Sequence, residues 1–271
     1  MIEILYCFDK NYNDQALVSI YSLLKNCTNN LSINILHDEP ETFLSHCKVL
    51  EKKLNFTNFK FYKFKESNYN FPKVFGTHIS KATYYRLFIS NYLDSNLKNI
   101  LYLDPDVVCL NKFEALSDEV FKKLTEFNLP IGVRTEHFVN TANFDRYKSI
   151  EVTKTYFNAG VMFINFENWL EKNYLKQLIN VSRKIEDNII FWDQDVLNSF
   201  FNSNYLEIPN QLNQHPFNFK NSYDFYLNNT VFLHFSGKDK PWTKKGKRLK
   251  NSKIYLDLYK EVFGYKLKSF K

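Results

Sequence analysis

The chain has 271 residues, 44% of them hydrophobic and 24% charged, with 36 Lys and Arg against 29 Asp and Glu for a formal charge of +7. That is ordinary globular composition, and with only 6 Gly and 7 Pro it excludes collagen-like, linker-rich and low-complexity architectures. No apolar run approaches the ~20 residues that a membrane-spanning helix needs, so no segment is expected to cross a bilayer.

The opening residues carry an acid and no basic leader, so 2–8 reads as a first strand rather than a secretory signal. The strand breaks at Asp9-Lys10-Asn11. From Asn13 the period changes, and Leu17, Ile20, Tyr21 and Leu24 share one helical face. A second strand follows at 31–36. Glu39-Pro40-Glu41 suits a helix start, and Phe43, Leu44, Cys47, Leu50 and Leu54 form its stripe. Residues 59–64 read as a third strand. This β-α-β-α-β opening is the pattern of a parallel sheet with helices on its faces.

Next come a helix around 81–91 and a short apolar strand at 100–103, which ends at Asp104-Pro105-Asp106 before Val107-Val108-Cys109-Leu110 resumes the apolar run. Later strands are expected at 129–133, 161–164 and 231–235, with helices at 166–179, 193–201 and 253–263. No linker or repeat divides the chain, so 1–271 reads as one domain with an α/β core. The four cysteines, Cys7, Cys27, Cys47 and Cys109, lie far apart and form no CxxC, which makes a reducing cytoplasm the expected location.

Four stretches could carry chemistry. Asp104 and Asp106 sit at the C-terminal end of a buried strand, where open α/β sheets bind ligands. If the backbone stays extended, i and i+2 point the same way, and hard carboxylate oxygens suit Mg²⁺ or Mn²⁺. The plain alternative is an Asp-Pro turn closing the strand. His234-Phe235-Ser236-Gly237-Lys238-Asp239-Lys240-Pro241-Trp242 offers an imidazole, a glycine and an ammonium for a metal and a phosphate, or else a structural His and a solvated turn. Tyr156-Phe157-Asn158-Ala159-Gly160-Val161 reads as a close-approach site or a simple turn at the mouth of a strand. Asp193-Gln194-Asp195 opens a helix, with Asp193 either an N-cap or a ligand-facing polar group.

Together these stretches resemble glycosyltransferase family 8, the retaining nucleotide-sugar transferases that include bacterial lipooligosaccharide galactosyltransferases and glycogenin. Ile4-Leu5-Tyr6-Cys7-Phe8-Asp9-Lys10-Asn11-Tyr12 is similar to that family's first strand and uridine loop, and the run from Ile79 to Leu87 to its helix bearing a donor-binding Arg. Asp104-Pro105-Asp106 matches its DxD, Phe157-Asn158-Ala159-Gly160-Val161 its FNAGV stretch, and the segment beginning at His234 its HxxGxxKPW motif.

The resemblance implies a GT-A fold, one Rossmann-like domain with a mostly parallel central sheet. It implies a donor, UDP-galactose or UDP-glucose, bound with Mn²⁺ or Mg²⁺, and a saccharide, glycolipid or glycoprotein acceptor. Asp104, Asp106 and His234 would ligate the metal, with Pro105 stiffening the bend between the two acids. Asp9, Asn11 and Tyr12 would hold uridine. Arg86, Asn158, Ala159, Asp193 and Gln194 would contact sugar or phosphates, and Gly237 and Lys240 the diphosphate. Lys240 would supply charge to the leaving group. Retention of configuration would follow either from a double displacement or from front-face attack by the acceptor. Gln194 would lie under the anomeric carbon, with Asp195 the nearby carboxylate, and the front-face route is favoured because an amide is a poor nucleophile.

Two other classes compete. A nucleotidyltransferase would bring a glycine-rich loop near its first strand, and Asp9-Lys10-Asn11-Tyr12-Asn13 has none. A nucleic-acid-binding module would suit the +7 charge, but the Phe and Tyr residues fall at core periodicities, so no nucleic-acid partner is expected. The basic segment 244–271 should close the domain as a helix. With Ile254, Tyr255, Leu258, Tyr259, Val262 and Phe263 on one face, it could instead rest on an anionic membrane at the inner surface.

Overall fold

The computed structural model of the protein describes residues 1–28, 30–66, 69–72, 80–216, 222–265 and 267. Ile79 and the basic residues Lys266, Lys268 and Lys271 lie outside them.

The β-α-β-α-β opening forms as expected: β1 (Ile2–Cys7), α1 (Asn13–Lys25), β2 (Leu31–His37), α2 (Leu44–Leu54) and β3 (Phe59–Lys63). Then follow β4 (Asn99–Leu103), β5 (Val107–Cys109), α3 (Glu114–Glu126), β6 (Ile131–Phe138), α4 (Phe144–Lys148), β7 (Thr155–Asn165), α5 (Phe166–Glu171) and α6 (Tyr174–Lys184). The chain closes with α7 (Trp192–Phe201), β8 (Leu206–Glu207), α8 (Tyr223–Asn229), β9 (Phe232–His234) and α9 (Ser252–Phe263).

Seven strands form one sheet in the order β3-β2-β1-β4-β7-β6-β8, and β5 and β9 pair separately. The β3-β2, β2-β1, β1-β4 and β6-β8 neighbours are parallel, while β7 runs antiparallel to both β4 and β6, so the sheet is mostly parallel. Strand β1 is buried on both faces. Ile4, Tyr6 and Phe8 enter the layer containing α1 and α9, while Leu5 and Cys7 enter the layer containing α7 and the 81–91 helix. A strand covered on both sides reads as one continuous apolar run, which is why the period-2 signal is weak there.

Several elements differ from the sequence reading. The expected helix 166–179 is two helices, broken where Asn173 adopts φ 51°, a left-handed conformation Asn tolerates. The 81–91 helix is a 3-10 helix, Lys81–Asn91, whose first turn is capped by Ser80 Oγ accepting from the Ala82 N–H. Strands β6 and β7 are longer than expected. Their paired ends set Arg134 opposite Asn158 and Thr135 opposite Phe157, a mix of polar and aromatic residues with no clean alternation, and two bulges interrupt the register. The 157–161 stretch therefore lies inside a strand rather than in a turn. Helices α3, α4 and α8 and the two-residue β8 had no reading at all.

Helix α9 has its apolar face turned inward. Ile254, Tyr255, Tyr259 and Val262 are buried, and Tyr255 packs against Trp242 with ring centroids 5.1 Å apart. That face closes the core, so the membrane reading loses its apolar surface and keeps only the basic side chains.

Candidate active site

The order 3-2-1-4 puts the switch point of the sheet between β1 and β4, and the site grows from the C-terminal ends of these two strands. Strand β4 ends at Leu103. The Asp104 N–H donates to Gly160 O of β7 at 2.8 Å, and the Val107 N–H donates back to Asp104 O at 3.1 Å, folding the Asp-Pro-Asp turn. Strand β5 then pairs antiparallel with β9, setting Val107 opposite His234. This pairing is what carries His234 to the two aspartates.

One ligand atom from each of Asp104, Asp106 and His234 can be chosen so that all lie within 4.8 Å of one another. The tautomer of His234 follows from its neighbours. Asn158 Oδ1 accepts from the Gly160 N–H and from Asn213 Nδ2, so the amide group of Asn213 facing His234 is its oxygen, 3.1 Å from Nδ1. Nδ1 therefore carries a proton, and Nε2 is the ring atom turned to Asp106. Asp106 Oδ1 lies 3.3 Å from that nitrogen and is buried with no hydrogen-bond donor. An imidazole nitrogen and a carboxylate oxygen facing each other in a buried place, with a second carboxylate alongside, form a donor set that suits Mn²⁺ or Mg²⁺. The residues fit the metal that the resemblance implies.

Lys240 stands on the other side of Asp106. Its ammonium pairs with Asp106 Oδ2 and donates to Phe235 O at 2.8 Å. Burial would push the Asp106 carboxyl up, but Lys240 and His234 outweigh it and hold the group below the usual carboxylate range. Gly237, in the loop leading to Lys240, takes φ 77°, a conformation that favours glycine.

Arg86, on the 3-10 helix, ties the second half of the site together. It donates to Asp104 Oδ1 at 2.9 Å and to Ala159 O at 2.5 Å, and its Nε lies 2.8 Å from Asp193 Oδ2. Its guanidinium also lies over the Tyr102 ring, 4.3 Å from the centroid. Burial pushes the Asp193 carboxyl up to about 7 against the opposing pull of Arg86. Asp193 is not the N-cap of α7 but a residue of its first turn.

Gln194 reaches the same region. Its Oε1 accepts from the Ala159 N–H at 3.0 Å and its Nε2 donates to Tyr156 Oη at 3.2 Å. Asp195 is fully buried, and its carboxylate accepts from Arg146, Tyr156 and the N–H groups of Ile190 and Phe191.

Near the end of β1, the Asp9 carboxylate accepts from the Asn11 N–H and caps the short turn Lys10–Tyr12. Tyr12 sits edge-on to Trp242 at 6.1 Å, joining this turn to the segment after Lys240, and burial raises its phenol, with Asp106 and Asp104 adding to the effect. Asn11 is exposed. Pro105 lies in the turn between the two acids.

The sequence reading missed Asn213, Tyr102 and Arg146. Asn213 sits in an Asn- and Gln-rich stretch without period, and Arg146 lies in the unread α4, so neither carried a signal. Tyr102 read simply as a strand residue.

The Glycosyl transferase family 8 profile matches residues 3–246. General stress protein A of Bacillus subtilis is 28% identical, covering 98% of this chain and 94% of its own length. Lipopolysaccharide 1,2-glucosyltransferase of Escherichia coli is 29% identical, covering 86% of this chain and 71% of its own length. Among solved structures, the galactosyltransferase LgtC, crystallised with donor and acceptor sugar analogues, has the same fold: TM-score 0.80 at 22% identity, covering 97% of this chain and 96% of that one.

Proposed function

Because the chain belongs to glycosyl transferase family 8, and is thereby a hexosyltransferase drawing on a UDP-sugar, we propose that it works with Mn²⁺ or Mg²⁺, retains anomeric configuration and delivers galactose or glucose to a saccharide hydroxyl of a cell-surface glycoconjugate. The observation that carries the metal dependence is the convergence of Asp104, Asp106 and His234, with Asp106 Oδ1 lacking a donor. The lipopolysaccharide glucosyltransferase among the relatives supports the class of acceptor.

A divalent ion held by these three side chains supplies Lewis acidity to a diphosphate leaving group. Around it, the side chains of the protein manage charge and orientation. Lys240, preorganised by Phe235 O, offers an ammonium to the departing diphosphate. Arg86 stays charged between two carboxylates and holds Asp104 in place. Asp9, Asn11 and Tyr12 take the uridine side, and Gln194, held by Ala159 and Tyr156, faces the anomeric carbon. Front-face attack, with the acceptor hydroxyl giving its proton to the departing phosphate, fits best because the Asp195 carboxylate is enclosed by four donor groups and lacks the freedom of a nucleophile. The whole chain 1–271 acts as one domain, with α9 closing it.

The deciding measurement is UDP release from UDP-galactose and UDP-glucose with Mn²⁺, with Mg²⁺ and with chelator, followed by acceptor testing with the better donor. Metal-dependent UDP release supports the reading. Pyrophosphate release in its place would make the protein a nucleotidyltransferase, and no turnover of either donor would refute it. Association of the basic segment with the inner face of an anionic membrane is a separate expectation, which sedimentation with liposomes tests; equal sedimentation with neutral and anionic lipid removes it.

A further inference from the structure

We propose that Arg146, Asp195 and Tyr156 are positioning residues that fix the side-chain amide of Gln194 in one orientation, so that the segment joining β6 to β7 controls the rate of sugar transfer. The inference rests on the reading of Gln194 as the group at the anomeric carbon.

The direction of each hydrogen bond determines the next. Arg146 Nη2 donates to both oxygens of Asp195, at 2.7 and 2.6 Å, which keeps a charged acceptor at this buried place. A carboxylate accepts only, so the hydroxyl of Tyr156 must donate to Asp195 Oδ1, 2.7 Å away. Burial, reinforced by Asp195, raises the Tyr156 phenol well above its ordinary value, so the proton stays on it. With its proton committed, Tyr156 Oη turns a lone pair to Gln194 Nε2 at 3.2 Å. The amide nitrogen is thereby placed on the Tyr156 side and the amide oxygen on the side of the Ala159 N–H, 3.0 Å away. Replacing the carboxylate by a group that can donate would free Tyr156 to turn, and the amide with it.

Two further observations show that this clamp is specific. Trp192, next to Asp193, takes φ 47°, a left-handed conformation that a bulky residue adopts only when its surroundings hold it there. Asp195 Oδ2 provides that hold by accepting from the N–H groups of Ile190 and Phe191, the two residues before Trp192. Arg146, for its part, keeps Nε and Nη1 buried without a hydrogen-bond partner among the described residues, so among them its guanidinium donates to Asp195 alone. Its guanidinium also lies over the rings of Phe191 and Tyr147, at 5.7 and 5.9 Å.

The test is a double-mutant cycle between Tyr156→Phe and Gln194→Ala in the full chain, with UDP affinity by calorimetry, donor KM, kcat and melting temperature measured for each. Tyr156→Phe should lower kcat about 10-fold or more while donor KM and UDP affinity stay within about 2-fold, and it should add nothing in the Gln194→Ala background. Arg146→Met should lower kcat in the same way, and Arg146→Lys should restore part of it. If Gln194→Ala is slow but Tyr156→Phe is not, or if the two losses multiply in the double variant, the positioning role is wrong while the reading of Gln194 stands. If Gln194→Ala itself turns over like the unaltered protein, the reading of Gln194 fails and the positioning role falls with it.

Discussion

His234 occupies the space in which a side chain at residue 160 would begin: a Cβ built on Gly160 would lie 2.2 Å from Cε1, 2.7 Å from Nδ1 and 2.8 Å from Nε2 of the imidazole. The glycine of the FNAGV stretch therefore leaves room for the imidazole beside Asp106 by absence of bulk, whereas its backbone nitrogen and oxygen hold Asn158 and Asp104. Gly160→Ala should displace the imidazole from Asp106 and weaken Mn²⁺ binding by about 10-fold or more, the scale of losses when the support of a metal ligand is disturbed. Calorimetric titration with Mn²⁺ checks this, and unchanged affinity would show that His234 is not a ligand.

Lys240 and the proposed metal site share Asp106, so their variants should separate. Asp106→Ala and His234→Ala should lose Mn²⁺ binding and, with it, donor hydrolysis. Lys240→Met should bind Mn²⁺ at least as tightly as the unaltered protein, because a competitor for the Asp106 carboxylate is gone. Its kcat should still fall about 100-fold through loss of charge at the leaving group. Full metal-dependent hydrolysis in Asp106→Ala or His234→Ala would remove the ligand assignment.

Arg86 is buried between Asp104 and Asp193, and removing it leaves two carboxylates facing one another without a counter-ion. Arg86→Met should cost about 3–5 kcal/mol of stability, and Arg86→Lys should recover only part of it because one ammonium cannot span both acids and Ala159 O. Urea unfolding of the three proteins measures the difference. A loss below about 1 kcal/mol in Arg86→Met would mean the carboxylates are hydrated, as at a surface pair.

Away from the site, Glu114 contributes acid-sensitive stability. Its carboxylate accepts from the Thr28 N–H at 2.6 Å, the Thr28 hydroxyl at 2.9 Å and the Phe113 N–H at 3.1 Å. Burial works against the charge, but these donors prevail and lower the group from 4.5 to about 2. A depressed carboxyl stabilises the fold above its unfolded value and loses that contribution as the pH falls through the folded one. The window is therefore about pH 4.5 down to 2, and the amount is on the order of 3 kcal/mol. Glu114→Gln should be less stable at pH 7 and should lose less between pH 4.5 and 2. Equal pH slopes in the two proteins would refute the assignment.

The apolar runs of 2–8, 31–36 and 59–64 and the helical stripes after Asn13 and from Phe43 to Leu54 were enough to determine the β-α-β-α-β opening, and with it the parallel sheet. The Asp-Pro-Asp turn and the HxxGxxKPW segment marked the chemistry, because carboxylate, imidazole and ammonium types at those spacings carry meaning along a single stretch of chain. Only the tertiary structure decided how they meet. His234 reaches Asp106 because β5 pairs with β9, two three-residue strands far apart in sequence whose pairing leaves no local period. Asn213, which orients the imidazole of His234, and Arg146, which holds Asp195, act through a few long-range hydrogen bonds. Sequence patterns register what repeats every two or 3.6 residues along one element. A lone polar side chain bonded across the fold repeats nothing, and its role exists only once the sheet has brought its partner to it.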